Sequence, residues 1–88
     1  MADELTADEI AAHFKAMDDS VNLINETIAD DTAALELAGG SAAEVKLMVT
    51  RNTDHLEIQK QKQWYKDSSK TKAKYTKAIT NGKAYVAG

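Results

Sequence analysis

The segment from Gln59 to Lys77, QKQKQWYKDSSKTKAKYTK, combines residue types that proteins use to bind nucleic acids. It contains seven lysines, one acid and three aromatic residues. Lysines neutralise phosphates and release counterions, and aromatic rings stack on bases. The sequence thus presents a candidate surface for a nucleic acid or an acidic partner, formed by Lys60, Lys62, Trp64, Lys66, Lys70, Lys72, Lys74 and Lys77.

The charge distribution favours a different use of these lysines. Residues 1–44 hold eleven acids and one base, whereas residues 45–88 hold ten bases and three acids. The lysine segment contains no arginine, the usual base-reading residue, and the whole chain is acidic with a sequence pI of about 5.2. Opposite charges would guide the pairing of helices from the two halves, within one chain or between chains. We therefore expect the lysines to face acidic protein surface, with nucleic-acid binding as the alternative.

Other residues that could do chemistry occur without a recognisable pattern. His13 and His55 do not form a metal-binding spacing such as HExxH. Neighbouring acids such as Asp3-Glu4 and Asp18-Asp19 point to different faces of a helix, so they cannot share a proton. The chain contains no cysteine, which excludes disulfides and thiolate metal sites. The sequence predicts no enzyme activity, no metal site and no cofactor.

A long first helix is predicted over residues about 7–37. Thr6 and Glu9 form the pattern of a capping box. Apolar residues then recur with the 3.5-residue spacing of a coiled coil, and Asp31 interrupts the repeat. The predicted seam of this helix consists of Ile10, Phe14, Met17, Val21, Ile24, Ile28 and Leu35.

A second helix is predicted over residues about 42–66, after a turn at about 38–41. Gly39-Gly40 ends the first helix, and Ser41 begins the next with a second capping box to Glu44. The seam of the second helix contains Val45, Val49 and Leu56. The same line also contains Asn52, Gln59 and Gln63, which either set the register inside the seam or face water.

The last part of the chain predicts a short helix over residues about 69–80, capped by Ser68 or Ser69. Tyr75, Ala78 and Ile79 would share one face of it. Asn81-Gly82 predicts its end, with a tail over residues about 81–88. The expected fold is therefore a single all-α domain: a long antiparallel helical hairpin, coiled-coil-like, with a short C-terminal helix or tail.

The small core and the regular seam favour a homo-oligomer. Ile10 and Ile24 fall on d-type positions, where isoleucine disfavours a parallel two-stranded coil. A trimer is therefore slightly favoured over a dimer. No apolar run approaches the roughly 20 residues of a membrane helix, and the acidic start lacks the basic region of a secretory signal. We expect a soluble intracellular protein.

Several dispersed segments resemble small uncharacterised proteins of marine tailed phages, especially the contractile-tailed cyanophages. These segments are ELTADEIAAHF, TRNTDHLEI, Trp64 and AITNGKAY. The resemblance implies a helical phage protein in the infected bacterial host or in the virion, and it implies no activity. The chain departs from those proteins at IQKQKQ and the following lysines, where they continue with an apolar Met-Val-Ala. The residues that carry the likeness are Arg51, Asn52, His55 and Leu56, and then Ala78, Ile79, Gly82, Ala84 and Tyr85.

Three functions therefore remain open at the level of the sequence. The first is a non-enzymatic helical oligomer that acts as an assembly or protein-interaction module. The second is nucleic-acid binding through residues 60–77. The third is an adaptor or inhibitor that binds a host protein through its acidic face.

Overall fold

The computed structural model describes residues 5–88, and the acidic pair Asp3-Glu4 lies outside them. The described chain is helical and contains no strand. This confirms the prediction of an all-α protein. Five helices follow one another: α1 (Ala7–Ala29), α2 (Thr32–Leu37), α3 (Ala42–Lys60), α4 (Gln63–Asp67) and α5 (Ala73–Ala87).

Helix α1 begins where the sequence predicts and ends earlier. The Thr6 hydroxyl accepts from the Glu9 amide at 3.1 Å, and the Glu9 carboxylate accepts from the Thr6 amide at 2.9 Å. The prediction of one helix over 7–37 is wrong, because the chain leaves the helix at Asp30 and Asp31. The Asp30 carboxylate accepts from both the amide and the hydroxyl of Thr32. Such local bonds give the backbone an alternative to helical pairing.

The turn between α2 and α3 forms as predicted. Gly39 and Gly40 have φ angles of 66° and 84°, in the left-handed region that glycine adopts without a steric penalty. The Gly40 amide donates to the Leu35 carbonyl at 2.7 Å and so satisfies the end of α2. The Ser41 hydroxyl accepts from the Glu44 amide at 3.3 Å, which caps the start of α3.

The second predicted helix is also divided, because α3 ends at Lys60 and α4 begins at Gln63. Lys62 between them has an extended backbone, with ψ at 144°. This bend carries Trp64 and Tyr65 back against Phe14 of α1. Burial of large aromatic surface there compensates for the interrupted helical hydrogen bonds.

Helix α5 lies later in the chain than the short helix predicted over 69–80. It begins at Ala73 after a Lys72 cap without a side-chain bond, and neither Ser68 nor Ser69 starts it. Asn81-Gly82 does not end it, and the predicted tail is helical to Ala87. Tertiary packing overrides the weak helix propensity of glycine, since a buried Gly82 lets α5 approach α3 closely.

Helices α1, α3 and α5 pack on one another and enclose the core. Tyr75 near the start of α5 contacts Asp18, and Tyr85 near its end contacts Asp31, so α5 runs in the same direction as α1. Within residues 5–88, no helix is long and apolar enough to cross a membrane. The core contains Phe14, Met17, Val21, Ile24, Val45, Val49, Leu56, Tyr65, Tyr75, Ala78 and Ile79.

The predicted seam is mostly buried, and its departures lie toward the ends. Ile10 is half-buried against the core, and Leu35 is half-buried in α2. Ile28 is 41% exposed, because the stripe of α1 continues past the closely packed part of the fold. Of the polar seam residues, Asn52 lies in the interface with α1 and Gln63 faces water.

Candidate functional site

The lysines singled out in the sequence gather at one end of the molecule. They come from the last turn of α3, from α4, from the loop after it, and from the first turns of α5. The N-terminal part of α1 lies at the same end, because His13 stacks on Trp64. We call residues 5–19 together with 60–77 the lysine end.

Two of these lysines pair with the acidic first helix. The Lys74 ammonium lies 2.8 Å from an Asp18 carboxylate oxygen, and Lys70 lies 3.9 Å from the other oxygen. The Tyr75 hydroxyl donates to Asp18 at 2.6 Å. Partial burial alone would raise the pKa of Asp18, but the bonds from Lys74 and Tyr75 outweigh it and hold that pKa below its ordinary value. Asp18 thus links α1 to α5 through these bonds.

Three lysines also lie over aromatic rings at this end. Lys70 is 4.8 Å from the centre of the Phe14 ring, Lys72 is 4.9 Å from that of Tyr65, and Lys74 is 5.2 Å from that of Tyr75. A cation at this distance from a ring face is attracted by the ring quadrupole. The aromatic residues of the lysine end therefore hold lysines of the same chain in place.

Trp64 is part of this packing. It stacks on His13 with ring centroids 5.1 Å apart, and it meets the Phe14 ring edge-on at 5.2 Å. The side chain is half-buried. A base could not reach the ring face that His13 covers, so Trp64 offers a poorer stacking platform than the sequence suggests.

The remaining lysines of the segment point outward. Lys60 donates to the Thr76 hydroxyl at 3.3 Å. Lys62, Lys66 and Lys77 are exposed, and in the part of the chain that the structure describes they form no salt bridge. These three cations are the ones available to a partner.

The opposite end of the molecule carries acids and exposed apolar side chains. We call residues 26–47 the acidic end: the last turn of α1, all of α2 and the start of α3. No residue of α2 is buried, and Leu37 is 90% exposed. Ile28 and Leu47 are each 41% exposed. The acids of this end are Glu26, Asp30, Asp31, Glu36 and Glu44.

Hydrogen bonds hold two of these acids. The bonds from the Thr32 side chain and amide lower the pKa of Asp30. The Tyr85 hydroxyl lies 3.4 Å from an Asp31 carboxylate oxygen, which ties the end of α5 to this region. Burial and the nearby Asp31 charge raise the pKa of Tyr85. Asp30 therefore remains ionised at neutral pH.

The two ends carry opposite net charges. The lysine end holds eight lysines and five acids, whereas the acidic end holds one lysine and five acids. The molecule is 46 Å long and 21 Å across, which is several times the Debye length of about 8 Å at physiological salt. The two ends therefore act as separate charged surfaces, and the charge of one end does not offset that of the other within one molecule.

One partly buried polar cluster was not found from the sequence. The Ser20 hydroxyl lies 3.0 Å from the Asn52 side-chain oxygen and 2.9 Å from Nδ1 of His55. Asn52 and His55 are three residues apart, so they share a face of α3. This spacing is the feature of the sequence that could have indicated the cluster. A serine beside a histidine is a nucleophile pairing in enzymes. Ser20 is only 5% exposed, however, so the cluster serves to join α1 and α3.

A shallow groove of about 200 Å³ lies between α3 and α5. Thr53, Asp54, Gly82 and Lys83 contribute to its lining. Thr53 is 3% exposed, and its hydroxyl has no hydrogen-bond partner within residues 5–88. A β-carbon at position 82 would meet this hydroxyl. The sequence could not reveal this groove, because only the packing of α5 on α3 creates it.

Within residues 5–88, histidines and acids form no group that could hold a metal ion. Comparisons of the chain with family models, curated proteins and solved structures found no match.

Proposed function

We propose that this protein is a non-enzymatic helical assembly module that associates with copies of itself. The observation that carries the proposal is the acidic end, where Leu37 is 90% exposed on a helix that buries no residue. Contiguous exposed apolar side chains bordered by charges are typical of protein-interaction sites. Ile28 and Leu47 add exposed apolar side chains within the same acidic end.

The association has to use the outside of the fold. Met17, Ile24, Val49 and Leu56 are each 0% exposed, because α1, α3 and α5 of one chain cover them. This burial supports a seam whose preference for three strands is met within one chain, and it gives no support to a trimer over a dimer. We further propose that α1 and α3 form the coiled-coil-like hairpin and that α5 takes the place of a third strand.

The buried polar groups support a role without catalysis. Ser20, which pairs with His55 as a nucleophile would, is enclosed by α1 and α3. The groove beside Thr53 is shallow and lies away from Ser20, as its lining shows. A catalytic group needs access to a substrate, and this arrangement does not provide it.

The mass in solution tests this proposal. We expect the average mass from sedimentation equilibrium to rise above 9.6 kDa as the protein is concentrated from about 10 µM to about 1 mM. The exposed apolar surface is small, so we expect weak association. A constant mass of 9.6 kDa over the whole range would refute self-assembly.

Nucleic-acid binding is the second candidate, and the exposed lysines Lys62, Lys66 and Lys77 favour it. Trp64 lies among the lysines and reports on their surroundings, so its fluorescence is the readout. Titration with single-stranded and duplex DNA should give a saturable change that weakens steeply with salt. The variant Lys66→Gln/Lys77→Gln should lose it. Absence of any change at tens of micromolar DNA would remove this candidate.

The biological setting stays a prediction from the sequence resemblance. A phage protein of this kind would act in the cytoplasm of the infected bacterium or within the virion. A host protein as an alternative partner would be tested by pull-down from host lysate with the wild type and the Leu37→Gln variant. Binding that does not depend on Leu37 would place any such partner elsewhere on the molecule.

A further inference from the structure

We propose that the protein assembles head to tail: the lysine end of one copy binds the acidic end of the next. This inference rests on the proposed self-association and specifies its two surfaces. It commits to a second copy as the occupant of the exposed apolar acidic end.

The charges of the two ends are complementary. Five acids against one lysine give the acidic end a net charge of −4, and eight lysines against five acids give the lysine end +3. The excess at the lysine end is accessible, since Lys62, Lys66 and Lys77 are exposed and form no salt bridge among the described residues. Complementary potentials of this kind steer association and set the relative orientation of partners.

Each end also presents apolar surface beside its charges. Leu37 projects from the acidic end with 90% of its surface exposed. Ile58, two residues before the lysine segment of that end, is 53% exposed in the last turns of α3, and Trp64 of the lysine end is half-buried in α4. Charges alone give little affinity, so desolvated apolar contacts are needed to hold an interface. Leu37 packing against Ile58 or Trp64 of the next copy would supply them.

Symmetry decides between a closed dimer and a chain of molecules. A two-fold dimer through the acidic end would place five acids against the same five acids, and this repulsion opposes it. Head-to-tail contact joins two different surfaces and leaves one free surface at each end of the assembly. The assembly therefore extends into filaments, or closes if the rotation between copies permits, the smallest closed form being two antiparallel copies that make the contact twice.

Two variants, each lacking one surface, test the polarity of the contact. The variant Glu36→Gln/Leu37→Gln removes the apolar anchor and one charge from the acidic end. The variant Lys66→Gln/Lys77→Gln removes two free cations from the lysine end. All four residues are exposed, so neither variant should unfold the protein, and circular dichroism melting checks this. Arg51→Gln/Lys83→Gln removes two exposed cations outside both ends, of which Lys83 pairs with Glu57, and serves as the control for loss of charge.

We expect each variant alone to self-associate roughly tenfold or more weakly than the wild type, and the control to behave like the wild type. Mixed at equal concentrations, the two variants should form a 1:1 heterodimer that grows no further, because only one intact contact remains. Salt of about 0.5 M should weaken both the wild-type assembly and the heterodimer.

The outcomes separate this inference from the proposed function. If the wild type associates and Lys66→Gln/Lys77→Gln associates equally well, the contact does not use the lysine end and head-to-tail assembly is overturned. Failure of the mixture to form a heterodimer overturns it as well. A monomeric wild type at every concentration instead refutes the self-assembly from which the inference starts.

Discussion

The lysine end and the acidic end of this molecule differ in how firmly their charged side chains are bound to the core. At the lysine end, Asp18, Tyr75 and Lys74 are joined by bonds of 2.6 and 2.8 Å above a cluster of aromatic rings. At the acidic end, α2 buries nothing and exposes Leu37. The contrast teaches that charges beside a packed core help to hold the fold, whereas Glu36, the one charged residue of α2, is exposed on a helix that has no buried residue.

The largest effect expected from this contrast comes from the same substitution at two leucines. Leu56 is 0% exposed and Leu37 is 90% exposed. Leu56→Ala should lower the free energy of unfolding by about 2–5 kcal/mol through lost burial and a residual cavity. Leu37→Ala should change it by less than about 0.5 kcal/mol. Urea denaturation followed by circular dichroism measures both values, and similar losses would contradict the contrast.

Two tyrosines test whether the lysine end gains stability from its hydrogen bond to Asp18. The Tyr75 hydroxyl donates to that carboxylate at 2.6 Å, whereas the buried Tyr65 hydroxyl has no partner within residues 5–88. Tyr75→Phe should destabilise the protein by about 1.5–3 kcal/mol, as expected for a bond to a charged group. Tyr65→Phe is the matched control and should be neutral or stabilising. Equal effects in thermal melts would show that Asp18 is not the cause.

Helix α5 connects the two ends, and Gly82 sets how closely it packs. Gly82→Ala places a β-carbon against the Thr53 hydroxyl. Overpacking should exceed the helix preference of alanine and leave a net loss of about 1 kcal/mol. In a Thr53→Ala background the clash is gone, so the same change should become stabilising. The double-mutant cycle by denaturant unfolding measures this reversal, and additive effects would disprove the contact.

Acidification should lower the stability of the protein through both ends, but by different amounts. The pKa values of Asp18 and Asp30 are both lowered in the folded state. A lowered pKa stabilises the fold above the unfolded value of about 3.9, and this contribution is lost as pH falls through the folded value. Asp18→Asn should reduce the loss of stability below pH of about 4 more than Asp30→Asn, because solvent screens the exposed Asp30. Melting temperatures measured across that pH range test this. Equal slopes of melting temperature against pH for the two variants would contradict it.

Much of the local architecture could be predicted from short-range patterns. Thr6 with Glu9, and Ser41 before Glu44, mark helix starts because their side chains bond to amides three residues away. Met17, Ile24 and Leu56 were expected inside because of their spacing, and they are fully buried. The oligomeric seam was less predictable, since the same spacing serves a partner chain or a third helix of the same chain.

The sequence predictions were wrong where contacts between residues far apart in the chain determine the structure. Asn81-Gly82 is a typical stop signal, yet Gly82 lies inside α5 because Thr53 of α3 comes within reach of it. The bend before α4 carries no proline or glycine, and it is the burial of Tyr65 against Phe14 that accounts for it. Residues far apart in the chain therefore outweighed local propensity at both places.

The sequence by itself determined the helical class, the caps, the glycine turn and the division of charge, because each depends on residues a few positions apart or on composition. Only the tertiary structure decided which lysines pair with Asp18, which remain free, and that α5 covers the seam of α1 and α3. These outcomes depend on contacts between residues up to 57 positions apart, such as Tyr75 with Asp18. Packing selects such pairs by shape and burial, which a pattern along the chain does not encode.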